Sequence, residues 1–222
     1  MADQIIKSFD DLHAAVQRYQ GKTIIYRGVT KLSYKLIPDI GRHSAIGSSS
    51  LEKEEGTILR LFKEQAFPYL SFQPETDWDW LAIARHHGLP TRLLDWSRNP
   101  LVAAYFAVEE QSNEDSAIYA YRSETFIRTD KSSNPFERKT VGKFIPKHVS
   151  GRISAQVGVF TIHPTPGEAF ESPGDIDRLI LRADCREDLK WILYRYGIHR
   201  ASLFPDLDGL AAHIKWLRTD IY

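Results

Sequence analysis

The 222 residues hold 29 Lys and Arg against 29 Asp and Glu, with 42% hydrophobic and 26% charged residues. This is the balance of an ordinary globular chain with room for one sizeable core, and zero net charge removes any global electrostatic case for a nucleic-acid or membrane surface. The single cysteine, Cys185, excludes an internal disulfide and fits a cytoplasmic location; no apolar run approaches a membrane span, and residues 1–7 lack the pattern of a signal peptide.

In chain order, Ser8 is placed as the N-cap of a helix through about Tyr19, with Asp10 and Asp11 in its first turn and Gly21 closing it. Thr23 to Arg27 reads as a strand, because Ile24 and Ile25 are β-branched, Tyr26 is aromatic and Gly28 ends the run. Residues 29–50 are broken by Pro38, Gly41, Gly47 and three serines, which predicts irregular structure. Leu51 to about Leu70 carries Ile58, Leu59, Phe62 and Phe67 at near-helical spacing, and Asp77 to about His87 carries Trp78, Trp80, Leu81 and Ile83. Asn99-Pro100 opens a helix over 100–110, since proline's missing N–H costs nothing in a first turn. The second half is β-rich, with strands expected at 117–121, 158–162 and 178–182 and a polar loop at 129–147. Helices follow at 186–196, ended by Gly197, and at 211–217. The expectation is one α+β domain spanning residues 1–222, with a twisted, split sheet and flanking helices.

Residues 84–108 hold the densest polar cluster: His86, His87, Arg92, Asp95, Ser97 and Asn99 lie within fourteen residues, just ahead of an apolar helical run. Burying that many polar groups is costly unless each finds a partner, so the segment is read as the wall of a site. Metal chemistry fits poorly, because adjacent histidines diverge by about 100° on a helix and no cysteine pair or His-x-x-x-His exists. Ser97, His86 and Asp95 form no hydrolase elbow, and neither Walker nor Rossmann glycine pattern is present. Anion binding fits better: Arg27 at a strand end, Arg92 and the helix N-terminus at Pro100 all favour phosphates.

Tyr26-Arg27-Gly28, the stretch from His86 to Ser97, and Leu203-Phe204-Pro205-Asp206-Leu207-Asp208-Gly209 together resemble the bacterial FRG domain family across roughly residues 20–215. The placing of Arg27, and of Trp96-Ser97-Arg98-Asn99-Pro100 before an Ala- and aromatic-rich helix, is similar to the ADP-ribosyltransferases. That resemblance implies an ADP-ribosyltransferase-like fold and an NAD-using transferase, a toxin or phage-defence effector, acting on a protein or nucleic-acid acceptor without metal or membrane. It implies that Arg27 holds the pyrophosphate, Ser97 orders the nicotinamide ribose, and Tyr105 or Trp96 stacks on nicotinamide. Tyr26, Gly28, His86, His87, Arg92 and Asp95 would complete the NAD site. The family's acid before a later strand is matched here by Gln156, so Gln156 or Asp206 would contact the ribose hydroxyls, with Asp208 as a further carboxylate.

Plainer readings stand beside these. Arg27 can pair with Asp95 to lock two core elements, Asp95-Trp96 can be a structural pair, and Asp206 can simply cap a helix. The alternative function is a non-catalytic nucleotide- or nucleic-acid-binding module. Its surface would use Arg122, Arg128, Lys131, Arg138, Lys139, Lys143, Lys147 and Arg152 beside Phe136 and Phe144.

Overall fold

A computed structural model describes residues 3–19, 23–44, 50–123, 126–147, 151–172 and 174–219. Side-chain caps set most helix starts. Ser8 caps α1 (Phe9–Gln17), Ser50 caps α2 (Leu51–Ala66), and Thr76 with Asp79 forms a capping box for α3 (Asp77–His86). Asn99 accepts from the Leu101 N–H to open α4 (Pro100–Val108). Downstream come α5 (Gly151–Ala155), α6 (Arg186–Arg195), α7 (Arg200–Leu203) and α8 (Leu207–Arg218).

The strands are β1 (Asp3–Ile6), β2 (Ile24–Val29), β3 (Leu93–Ser97), β4 (Ser116–Arg122), β5 (Gly142–Phe144), β6 (Gly158–Ile162) and β7 (Ile176–Leu181). They form one sheet in the order β1-β7-β4-β2-β3-β6-β5. Only β1 with β7 is parallel; the other pairings are antiparallel, so the fold is α+β with a mixed sheet. Pairing is uneven across it. β2 holds six register pairs with β4, and β3 holds five with β6, yet β2 and β3 meet only at Tyr26 and Ser97. The sheet therefore parts in its middle, and a cleft opens where the ladder stops.

Alternation along β2 decides what faces each side of that parting. Tyr26 packs with Val102, Ala103 and Ala107 of α4, while Ile25 and Val29 pack on the other face against Leu94 and Trp96. Gly28 is on the α4 side, where a Cβ would stand 2.0 Å from the Ala103 carbonyl oxygen and 2.6 Å from the Ala107 nitrogen. Its glycine character is thus fixed by packing against α4. Gly28→Ala forces that helix away and is expected to cost about 1–3 kcal/mol, a drop in Tm of roughly 2–12 °C. An unchanged melting curve would mean that α4 does not lie on this strand. α4 is apolar on every side and buried along most of its length. Its C-terminal carbonyls are capped by buried cations, Lys190 Nζ on Glu109 O at 2.7 Å and Arg186 Nη2 on Glu110 O at 2.6 Å.

Several boundaries differ from the sequence reading. α1 ends at Gln17, and Gly21 lies outside the described residues. α2 stops at Ala66 and continues as a 3₁₀ turn, Phe67–Tyr69, around Pro68. α8 starts at Leu207 instead of Ala211, because Asp206 accepts from the Gly209 N–H at 2.7 Å and fixes the start. The 129–147 loop contains β5, and β1, β3, α5 and α7 are additional elements. No helix among the described residues is long and apolar enough to cross a membrane.

Candidate functional site

The parting between β2 and β3 is occupied by a cavity of about 670 Å³. Its lining comes from both sides of the sheet, with Arg27, Tyr34 and Arg42 at one end and Val102, Phe106 and Asp206 at the other. Where the ladder fails, Arg27 bridges the gap: its Nη1 donates to the Asp95 carbonyl at 2.6 Å and lies 3.6 Å from Asp95 Oδ2. That same Oδ2 accepts from Arg85 Nε at 2.9 Å and Nη2 at 2.7 Å. Arg85 Nη1 reaches Asp39 Oδ2 at 3.0 Å, and Asp39 Oδ1 also takes Arg42 at 3.0 Å. Three guanidiniums and two carboxylates thus form one chain along the cavity wall.

The electrostatics follow from this arrangement. Burial pulls the Arg27 pKa down, aided by Arg85 and Arg42, while Asp95 opposes the shift. For Arg85 the Asp95 carboxylate dominates and pushes its pKa up. Both remain cations. Arg27 Nε and Nη2 and Arg42 Nη1 make no hydrogen bond among the described residues. The wall carries one positive charge more than its two carboxylates neutralise, with Lys35 beside it. A site with that surplus and with planar donor forks suits phosphate or carboxylate groups.

Residues 22–116 match the family model for the FRG domain. That stretch is similar to an FRG domain. The matched span runs from the start of β2 to the start of β4, and so includes every member of the ion chain: Arg27, Asp39, Arg42, Arg85 and Asp95. No curated protein and no solved structure matches the chain.

The fold brings most of the sequence-selected residues to this one cavity. Tyr26, Arg27 and Gly28 enter from β2, and Asp95, Trp96 and Ser97 from β3. His86 and His87 enter from the end of α3, their rings edge to face at 4.8 Å. They meet because His87 already lies beyond the helix end, as its C-cap, so the 100° divergence of two helical neighbours does not apply. Gln156 and Asp206 line the α4 side.

Two residues need correction. Arg92 is outside the cavity and 2% exposed: its N–H and Nε both donate at 2.7 Å to Glu55, itself 1% exposed, and Phe136 packs over its guanidinium. Tyr105 is buried in the core around α4 and lines a different pocket, so it cannot stack on a ligand in the cleft.

Other assigned groups are already engaged. Ser97 Oγ donates to the Gln156 carbonyl at 2.7 Å and accepts from the Asn99 N–H at 2.9 Å, which ties β3 to the turn before β6. The Gln156 side chain donates to Leu203 O at 3.1 Å. The Trp96 indole N–H donates to Thr161 Oγ1 at 2.8 Å. In the proposed basic surface, Lys143 and Phe144 are buried: Lys143 Nζ donates to the carbonyls of Thr23, at 2.7 Å, and Ser123. Arg122 pairs with Asp177, and the Arg152 side chain lies outside the described residues.

Sequence reasoning missed Arg85, Asp39, Arg42 and His163. Arg85 had a readable signal: it is a guanidinium in the last turn of a helix, after the apolar run Trp80 to Ala84 and directly before His86. Asp39 and Arg42 occupy a single 3₁₀ turn inside a segment read as irregular. His163 follows β6, and its Nε2 lies 2.8 Å from Thr161 Oγ1.

Proposed function

We propose that the cleft binds NAD and supports ADP-ribosyl transfer to a protein or nucleic-acid acceptor. The observation that carries this reading is the pairing of Arg27 and Arg85 on one Asp95 oxygen, with donors unspent, on the wall of a cavity of dinucleotide size. Asp95 acts as the organiser. It holds the two guanidiniums side by side, so that a diphosphate meets them already oriented and little ordering entropy is lost on binding. Phe106 and Phe160 supply flat apolar surface deeper in the cleft for a ring.

A dissociative transfer needs a carboxylate near the ribose to stabilise an oxocarbenium-like state. Asp206 is the acid assigned this role here, since it lines the cavity, with Oδ1 used in capping α8. Glu109 also lines the cavity but is paired with Arg200. A specific observation favours the second reading, nucleotide binding without transfer. The Ser97 hydroxyl and the Gln156 amide, which would handle the ribose, are engaged in holding the fold.

Incubation with NAD separates the outcomes. Nicotinamide release that Asp206→Asn removes, with NAD binding retained, supports transfer. Calorimetric binding without release supports the non-catalytic module. In either case Arg27→Ala is expected to weaken NAD about 10- to 150-fold, the cost of one charge-assisted contact. If the protein neither binds nor turns over NAD, the reading fails.

A further inference from the structure

A second cavity, of about 150 Å³, lies between α4, α6, α7 and α8. Its walls are flat: Tyr105, Tyr194 and Trp216 line it, and the Tyr194 and Trp216 rings stand 5.7 Å apart at 73°. Its polar groups are mostly donors. Lys190 Nζ sits 5.2 Å from the Trp216 ring centroid, and Arg200 lines the same space with its guanidinium over Phe204. Arg200 Nε is buried and has no hydrogen-bond partner among the described residues. Two cations face a single carboxylate, Glu109, which is paired with Arg200. A buried donor left unmatched is unfavourable, and an acceptor that reached it would relieve that loss.

We infer that this pocket is a binding site for a small carboxylate carried on a flat ring, of the benzoate class. The size admits one ring, since an apolar cavity of about 150 Å³ holds benzene. The aromatic walls select a flat body, and the guanidinium fork takes the carboxylate on its edge. Burial pulls the Lys190 ammonium down to about 8, which still leaves it charged at neutral pH. Glu109 lines both cavities. A carboxylate that takes over Arg200 frees Glu109 toward the main cleft, so occupancy here changes the charge there. The site itself does not depend on what the cleft binds.

The test titrates the full chain with sodium benzoate at fixed ionic strength, followed by calorimetry and by the histidine ring signals in NMR. His199 lines the pocket and stacks on His213 at 4.1 Å, whereas His86 and His87 line the main cleft. Saturable binding that shifts His199 and His213 more than His86 and His87 is expected. Ala212→Trp fills the exposed mouth without changing charge and is expected to weaken binding at least tenfold. Arg200→Gln should weaken it similarly, and Ala212→Trp carries the test if that variant loosens α7. Absence of saturation, shifts confined to His86 and His87, or binding untouched by Ala212→Trp overturns the site. Inorganic phosphate binding as tightly as benzoate overturns the ligand class.

Discussion

Arg92→Met is expected to destabilise the protein by about 3–5 kcal/mol, because it leaves the Glu55 carboxylate buried without its cation. Both partners are almost wholly enclosed, and burial already pushes the Glu55 pKa up against the pull of Arg92. The pair joins α2 to the residue just ahead of β3, the strand that brings Asp95, Trp96 and Ser97 to the cleft's wall. Glu55→Leu combined with Arg92→Met should recover part of the loss, since an apolar pair of similar volume can replace a buried ion pair at little cost. Recovery stays partial: Glu55 Oε1 also accepts the Arg92 backbone N–H, which the double variant leaves unmatched. Urea midpoints at pH 7 measure this. If the cleft binds NAD as proposed, binding per folded molecule should stay unchanged in Arg92→Met; a stable variant that had lost it would return Arg92 to the site.

Arg27 and Arg92 show what could be read from the sequence and what could not. Both are arginines next to apolar strand residues, and both looked suited to an anion. Arg27 is in the cleft because β2 and β3 part beside it, a property of pairing that no local pattern announces. Arg92 points into a core because Glu55, 37 residues earlier in the chain, is brought to it by α2. The grouping of Tyr26, Arg27, His86, His87, Asp95 and Ser97 was legible because two short segments hold them all. β3 itself was missed, since Leu93-Leu94-Asp95-Trp96-Ser97 has no β-branched residue and its polar groups were read as the wall of a site. Tyr105 was misplaced for a related reason. α4 is apolar all round, so periodicity gives no clue to which side meets the cleft. β1, four residues at the sheet's edge, is held by parallel pairing with β7 from the far end of the chain, and nothing local marks it.

Acidification is expected to destabilise the protein steeply between about pH 6.5 and pH 3, with His163 as the largest single histidine contribution. Burial, and then the nearby Arg27 charge, hold its folded pKa down to about 3, against about 6.5 for an exposed histidine. Across that window the unfolded chain binds one more proton at this site than the folded chain, so stability rises with pH and is lost as pH falls. One proton corresponds to about 1.4 kcal/mol per pH unit, on the order of 4 kcal/mol over the whole window. The neutral ring is built into the fold. Thr161 Oγ1 accepts from the Trp96 indole and lies 2.8 Å from His163 Nε2, and Phe170 packs on the ring with centroids 5.0 Å apart. His199 and His213 are also held low by burial and add slope of the same sign. His163→Gln keeps a hydrogen-bonding group but cannot titrate there, so its stability should fall less between pH 7 and pH 4.5 than that of the unsubstituted protein. Comparing slopes separates titration from any constant packing loss. Equal slopes in the two proteins would remove His163 from the account. Arg27→Gln sharpens the argument, because losing a neighbouring cation raises the His163 pKa and shortens the window from its acid end. A histidine signal that titrates higher in Arg27→Gln would place the ring within the electrostatic reach of the cleft's arginine.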